Sequence, residues 1–218
     1  MDLLTLPRTA LGTTLGAATA LRGARVFHPH GQAHVARLTV TGGLGTGASL
    51  LDVPATRSGV VRLSRGAGLP APLPDVEGLA LRLTGLGVGG APLDLLGNSA
   101  WRYVFVPSLV APTWSAVLPH RTGTGRLLLI GARPVEEGFA MLCAAPLGPW
   151  QQWGTLALAA PFDGEDLRFD PTVGADDLQH TAMLRTVRAW SYDASQAARL
   201  SGPARLTAVG SSQAPGAS

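Results

Sequence analysis

The sequence is poor in several residue types, and each shortage excludes a class of structure or partner. It has one cysteine, Cys143, so no intrachain disulfide can form and a reducing, cytoplasmic setting is expected. It has no lysine, and its 17 basic residues leave a net charge of only +3 without forming a basic cluster. A nucleic-acid partner is therefore not expected. No apolar run approaches the ~20 residues that cross a bilayer, so no membrane partner is expected either.

Glycine and proline, by contrast, are plentiful and spread through the chain, with 28 and 17 copies. This distribution is typical of many short strands joined by turns. At 218 residues and 46% apolar composition, the chain can bury one sizeable core. The turn residues between Arg65 and Asp75 exclude a regular element there. Apolar patterns predict strands over residues 34–40, 59–64, 78–83, 101–106, 125–131, 138–144 and 154–159.

Two helices and a tail complete the predicted organisation. A helix or extended arm is predicted over residues 8–24, and a second helix over 176–200, whose amino end is favoured by the charges of Asp176 and Asp177. The predicted architecture is mainly β (α+β), an antiparallel closed β-barrel with a few helices. The predicted domains are an arm over 1–24, a single barrel domain over 25–205 and a disordered tail over 206–218.

One of the two tyrosines has a chemically informative neighbour. Tyr192 follows Arg188 by four residues, so on a helix the two side chains share a face and the guanidinium can reach the phenol oxygen. A phenol ordinarily loses its proton near pH ~10, so a tyrosine that binds iron at neutral pH needs a neighbouring cation, the metal itself, or both. Arg188 supplies such a cation. By itself, the spacing is also common on ordinary amphipathic helices.

The first half of the chain contains His28, Ser64 and Asn98, with Arg25 three residues before the histidine and Arg62 two residues before the serine. This arrangement resembles the heme catalase superfamily. In that family a histidine, a serine and an asparagine line the distal face of the heme. Arginines three residues before the histidine and two before the serine bind propionates. The matching positions in this chain are His28, Ser64, Asn98, Arg25 and Arg62.

The second half of the chain carries the proximal side of the same resemblance. The proximal motif of the family, Arg-x-Phe-x-Tyr, reads Arg-Ala-Trp-Ser-Tyr at residues 188–192, and Arg199 matches a further propionate-binding arginine. Phe169-Asp170-Pro171 resembles a turn that precedes the proximal helix. The chain departs from the family at Trp190 and at Phe27, which replaces the usual valine before the distal histidine. Either change would reshape the distal or proximal pocket.

The resemblance implies a barrel of the heme catalase type with a C-terminal proximal helix, and heme b as the cofactor. It implies a heme hydroperoxidase, an oxidoreductase that acts on peroxide, with an organic electron donor as a further partner. Because the chain is much shorter than a typical catalase, we expect a more open approach that admits organic hydroperoxides. The oligomeric state is left open, a homo-oligomer included. Residues implied to bind the cofactor are Arg25, Arg62, Arg188, Arg199, the ligand Tyr192 and, by packing, Tyr103.

The resemblance also assigns chemical roles. His28 would take a proton from peroxide and return it to the departing oxygen. Ser64 would hydrogen-bond the other ring nitrogen of His28 and hold its orientation. Asn98 would donate its amide to peroxide. Tyr192, as phenolate, would donate electron density to iron.

Two other interpretations of the same residues stay open. His28, His30 and His34 have the same parity, so a continuous strand would direct all three imidazoles to one side, as in a barrel that binds a single metal ion. Pro29 and Gly31 weaken that strand. The other alternative is a catalytically inactive barrel that binds heme or lipid.

Overall fold

Eleven strands form the structure, a computed structural model that describes residues 30–66, 69–70, 72–111, 113–116, 118–163, 167–170 and 172–181. The strands are β1 His30–Val40, β2 Ala55–Arg65, β3 Glu77–Leu83, β4 Leu93–Trp101, β5 Val104–Phe105, β6 Thr113–Ser115, β7 His120–Thr122, β8 Leu127–Val135, β9 Gly138–Ala144, β10 Gln151–Pro161 and β11 Leu178–His180.

Eight of these strands close into an antiparallel barrel. Hydrogen bonding joins them in the order β8-β6-β4-β3-β2-β1-β10-β9, and β9 pairs again with β8. The closing pair is a tight hairpin with seven residues in register, running from Val135 opposite Gly138 to Leu129 opposite Ala144. Closure leaves none of the eight strands with a free edge, which removes a common route to aggregation.

Alternation along each strand separates an inner face from an outer face. Leu79, Leu81 and Leu83 of β3 are buried in the core, and their neighbours point the other way because successive side chains of a strand alternate. The same core contains Leu38 of β1 and Trp153 of β10. The barrel interior is therefore filled by large apolar side chains.

A short helix, α1, spans Ser49–Asp52 and packs against one end of the barrel, with Leu50 and Leu51 in the core. The Asp52 carboxylate accepts hydrogen bonds from the backbone N–H groups of Thr46 and Gly47 at 2.9 and 2.8 Å. Burial opposes the charge, but these hydrogen bonds outweigh it and lower the pKa of Asp52. The carboxylate thus holds the loop before α1.

Most strands lie where the sequence predicts them, but β4 does not. Residues 101–106 were predicted as one strand, whereas β4 runs over Leu93–Trp101 and a turn with Arg102 at a positive φ of 54° separates it from β5. Asp94, Gly97 and Asn98 are poor strand formers. Cross-strand pairing with β3 and β6 overrides that local preference.

The prediction of a helix from residue 176 is wrong over residues 176–181, the part of it that the structure describes. Leu178–His180 forms strand β11, which pairs with β7, and Asp177 accepts a hydrogen bond from the Ser49 backbone N–H at 2.7 Å instead of starting a helix. Asp177 thus serves a tertiary contact. Residues 182–200, the predicted helix over 8–24 and the tail over 206–218 lie outside the described residues, so they and the domain limits stay predictions.

Over the described residues, no helix is long and apolar enough to cross a bilayer.

Cys143 lies in β9 with 1% of its surface exposed, and it is not in a disulfide. Burial raises the pKa of its thiol from an ordinary value of 9.0 to about 11. Between these two values the folded protein keeps the proton and the unfolded chain loses it. The thiol's contribution to stability is therefore complete below pH about 9 and declines as the pH rises towards 11.

We predict that native protein at pH 8 reacts with a disulfide reagent such as DTNB only as fast as it unfolds, because the buried thiol is protonated and shielded. Denatured protein should react at once. In Cys143→Ala, the loss of stability above pH about 9, followed by urea unfolding, should be smaller than in the wild type. Rapid labelling of the native protein would contradict the buried position.

Candidate functional site

The register of the first strands brings Ser64 and Asn98 to the same face of the barrel. Gly31 of β1 lies opposite Ser64 of β2, Ser64 opposite Gly78 of β3, Gly78 opposite Asn98 of β4, and Asn98 opposite Ser115 of β6. We call these five residues the outer row. Directly opposed residues of antiparallel strands point to the same side, and the outer row faces away from the core formed by Leu79 and its neighbours.

Two polar side chains of the outer row lie on either side of a glycine. Two strand spacings separate Ser64 from Asn98, roughly 10 Å. The residue between them is Gly78, which is buried. The Ser64 hydroxyl lies 3.5 Å from the Gly78 carbonyl oxygen, and both Ser64 and Asn98 are half-buried.

Arg62 adds a positive charge at one end of the outer row. It precedes Ser64 by two residues on β2, so both side chains point outward. A Cβ built on Gly31 would lie 2.8 Å from the Arg62 guanidinium carbon, which shows that the guanidinium lies directly over Gly31. The absence of a side chain at residue 31 thus allows Arg62 to reach β1. A guanidinium there suits a carboxylate ligand.

The opposite end of the outer row is bounded by one aromatic side chain, that of Trp150. Ser115 is opposite Gly131 of β8, and a Cβ on Gly131 would lie 3.0 Å from the ring of Trp150. The guanidinium of Arg102 lies 5.2 Å from the centre of that ring and donates to the carbonyl oxygens of residues 145, 146 and 148. Only the fold brings Trp150 next to Gly131, because no sequence pattern links the two positions.

Tyr103 contacts the same loop as Arg102 does. Its hydroxyl donates to the Pro146 carbonyl oxygen at 2.5 Å, and 38% of its surface is exposed. This contact ties the turn between β4 and β5 to the loop between β9 and β10. The structure thus gives Tyr103 a structural partner, and its packing against a cofactor stays a prediction.

The described interior of the barrel has no room for a large cofactor. The cavity lined by Leu79, Leu95, Trp114 and Met141 has a volume of about 20 Å³, close to the least that holds one water molecule. A porphyrin is far larger than this space.

The remaining predicted site residues, His28, Arg25, Arg188, Tyr192 and Arg199, lie outside the described residues. Their positions relative to the outer row stay predictions.

Among the residues that the structure describes, no three His, Cys, Asp or Glu side chains gather closely enough to hold a metal ion. His28 lies outside those residues, so the alternative metal site stays a prediction. β1 is continuous from His30 to Val40, so Gly31 does not interrupt it. His34 is half-buried, and its pairing with β10 is followed by an irregularity in the register.

The closed eight-stranded antiparallel barrel is a catalase-like fold, and comparison with solved structures gives the same result. The chain is similar to a fungal catalase at a TM-score of 0.59 and 10% identity, covering 91% of this chain and 63% of that chain. It is also similar to a bacterial catalase at a TM-score of 0.57 and 12% identity, covering 89% of this chain and 61% of that chain.

These likenesses establish the fold alone, because the identities are low. The chain spans less than two thirds of the length of either catalase. No family model matches the chain, and no curated protein matches it.

We predict that Gly31→Ala destabilises the protein by about 1–3 kcal/mol, because overpacking of this size forces neighbouring atoms to move. The new Cβ would lie 2.6 Å from the Leu63 carbonyl oxygen as well as against Arg62. Gln32→Ala, at the exposed next position, is the matched control and should change stability by less than about 0.5 kcal/mol. Equal urea midpoints for the two variants would contradict the close approach of Arg62 to β1.

Proposed function

We propose that the protein is a heme-dependent hydroperoxidase that decomposes or reduces hydrogen peroxide and accepts organic hydroperoxides. The observation that carries the proposal is the outer row. It aligns Ser64 and Asn98 across a glycine, on the outside of a catalase-like barrel, with the Arg62 guanidinium at one end. Arg62, Ser64 and Asn98 lie on one face of the barrel.

Two features of the described residues support a carboxylate-bearing cofactor. The outer row provides a surface interrupted by Gly31 and Gly78, and Arg62 provides a guanidinium that pairs well with a propionate. Arg25, Arg188 and Arg199 are the further propionate partners in the proposal, and Tyr192 is the iron ligand. When bound, heme supplies the redox chemistry that breaks the peroxide O–O bond.

His28 is the proposed proton carrier, and covalent geometry limits its distance from the outer row. Three peptide units separate it from Gly31, so its Cα lies within about 11 Å of the Gly31 Cα. Gly31 is opposite Ser64. The imidazole of His28 takes the proton from the bound peroxide oxygen and delivers it to the leaving oxygen, which makes that oxygen depart as water or alcohol.

Ser64 and Asn98 orient the reactants. The Ser64 hydroxyl holds the imidazole of His28 through the ring nitrogen that does not exchange the proton. The Asn98 amide donates a hydrogen bond to the peroxide oxygens and draws electron density from the bond that breaks. The half-buried setting of both side chains limits competition from water and strengthens these hydrogen bonds.

The proposal is tested by producing the protein with heme supplied and recording its absorption spectrum. We expect an intense Soret band, and oxygen release or donor oxidation when peroxide is added. Tyr192→Phe should weaken heme binding because the phenolate ligand is removed. The matched control is Tyr103→Phe, which removes a hydroxyl that donates to the Pro146 carbonyl oxygen and should retain heme.

His28→Ala should retain heme but lose about 10²–10⁴-fold in kcat/KM, the usual contribution of general acid–base catalysis. His34→Ala is the matched histidine control and should keep its activity. Full peroxide turnover by His28→Ala would exclude the proton-transfer role. Heme binding without any turnover by the wild type would favour the inactive heme-binding barrel, and the absence of heme binding would exclude the proposed function.

A further inference from the structure

The chain leaves β4 through a short hairpin that carries large apolar side chains on its surface. Trp101 of β4 pairs with Val104 of β5, and a single 3₁₀ turn over Ser108–Val110 follows. The Trp101 indole N–H donates to the Val110 carbonyl oxygen at 2.8 Å, which holds this turn against the hairpin. We call Trp101, Val104, Phe105, Leu109 and Val110 the apolar hairpin.

The apolar hairpin is strongly exposed. Each of its five members has between 54% and 76% of its surface exposed, although all are large apolar residues. Single apolar residues at a surface need no explanation, but soluble monomers rarely expose a contiguous apolar patch of more than a few hundred Å². Strand pairing and the Trp101 hydrogen bond join these five into one patch. Such a patch marks a surface that binds a partner.

The apolar hairpin also lacks free charge. The only charged residue between Gly97 and Thr113 is Arg102, and its guanidinium donates to the carbonyl oxygens of residues 145, 146 and 148 at 3.0, 3.1 and 2.6 Å. The carbonyl oxygen of Asp75 accepts the Ser108 backbone N–H, but the Asp75 side chain is buried and forms an ion pair with Arg65 at 3.8 Å. The partner is therefore one that is recognised by apolar contact and not by charge.

Apolar side chains occupy both sides of this hairpin. Directly opposed residues of antiparallel strands point to one side, and successive pairs alternate between the two sides. Trp101 and Val104 therefore share one side, whereas Phe105, which is opposite Ala100, lies on the other. A flat protein surface covers only one side of a hairpin. A fluid apolar medium surrounds both sides at once.

The base of the hairpin is fixed by a buried serine. Ser99 has 0% of its surface exposed, and its hydroxyl donates to the Val106 carbonyl oxygen at 2.7 Å and accepts the Glu77 backbone N–H at 3.0 Å. The Val106 backbone N–H donates to the Ser99 carbonyl oxygen at 3.1 Å. Because these polar groups are already paired, moving the hairpin into apolar surroundings costs less.

We propose that the apolar hairpin docks the protein on the surface of a lipid bilayer, with Trp101, Val104 and Phe105 at the boundary between headgroups and acyl chains. Tryptophan is enriched at that boundary in membrane proteins, and surface binding strengthens with the apolar area buried. The expectation of no membrane partner rested on the lack of a crossing segment, which surface docking does not require. The inference is independent of the proposed heme chemistry.

The test is sedimentation of the full chain with vesicles of phosphatidylcholine, or of phosphatidylcholine mixed with phosphatidylserine, at about 0.1 M and about 1 M NaCl. Val104→Ser and Phe105→Ser each change one side of the hairpin. Val88→Ser is the matched control, because Val88 is also an exposed valine but lies in the connection between β3 and β4, at the other end of β4.

We expect the wild type and Val88→Ser to bind both kinds of vesicle at both salt concentrations, because apolar contact is not screened by salt. Val104→Ser and Phe105→Ser should each weaken binding about fivefold or more, because each removes apolar area from the bilayer. Brominated acyl chains should quench the tryptophan fluorescence of the wild type. The quenching should be smaller in Trp101→Phe, which removes the indole but keeps an apolar ring.

The absence of wild-type binding to either kind of vesicle would overturn the inference. Binding to phosphatidylserine vesicles alone, lost at about 1 M NaCl, would overturn it by showing only the attraction of a positively charged chain to anionic lipid. Equal weakening in Val88→Ser would overturn it as well. A dimer that Phe105→Ser converts into monomers, without vesicle binding, would assign the apolar hairpin to a second copy of the chain. Each of these readouts is made without heme, so their failure leaves the proposed function intact.

Discussion

Closure of the sheet between β8 and β9 is the constraint on which the other features depend. Once β9 pairs with β8, each of the eight barrel strands has two fixed neighbours, and the register of each pair follows from the rest. Alternation then sends one set of side chains inward to fill the core and the other set outward. The outer row exists because of this arrangement. A slip of one residue between β2 and β3 would turn Ser64 towards the core and away from Asn98.

The interior of the described barrel is filled by apolar side chains, and the polar residues Ser64 and Asn98 lie on its outer face. Two arginines on neighbouring strands serve different purposes there. Arg62 extends over Gly31, whereas Arg82 makes hydrogen bonds to Asp94 and contacts segment 168–170. The difference lies in what the neighbouring strand supplies, a glycine or an aspartate.

Local sequence predicts the strands with strong alternation and misses those that tertiary contacts create. The positions of β1, β2 and β3 are confirmed, and β3 alternates most clearly between core and outer residues. β4 contains Asp94 and Asn98, which disfavour strands locally, but Arg82 neutralises the first. The acidic residues at 176 and 177 look like a helix start, yet Asp177 accepts a hydrogen bond from the backbone N–H of Ser49, the first residue of α1. Hydrogen bonds to residues more than a hundred positions away cannot be read from a local window.

For the candidate site, the sequence by itself determined which residue types are present and how they are spaced, so that Arg62, Ser64 and Asn98 could be selected by their likeness to a known motif. It also determined that Cys143 lies in an apolar strand, because its neighbours are apolar. Only the tertiary structure decided that Ser64 and Asn98 share a face across Gly78, that Arg62 lies over Gly31, and that Arg82 and Asp94 hold residues 168–170. The physical reason is that these contacts depend on strand register, which is set by closure of the whole barrel and by no single stretch of the chain.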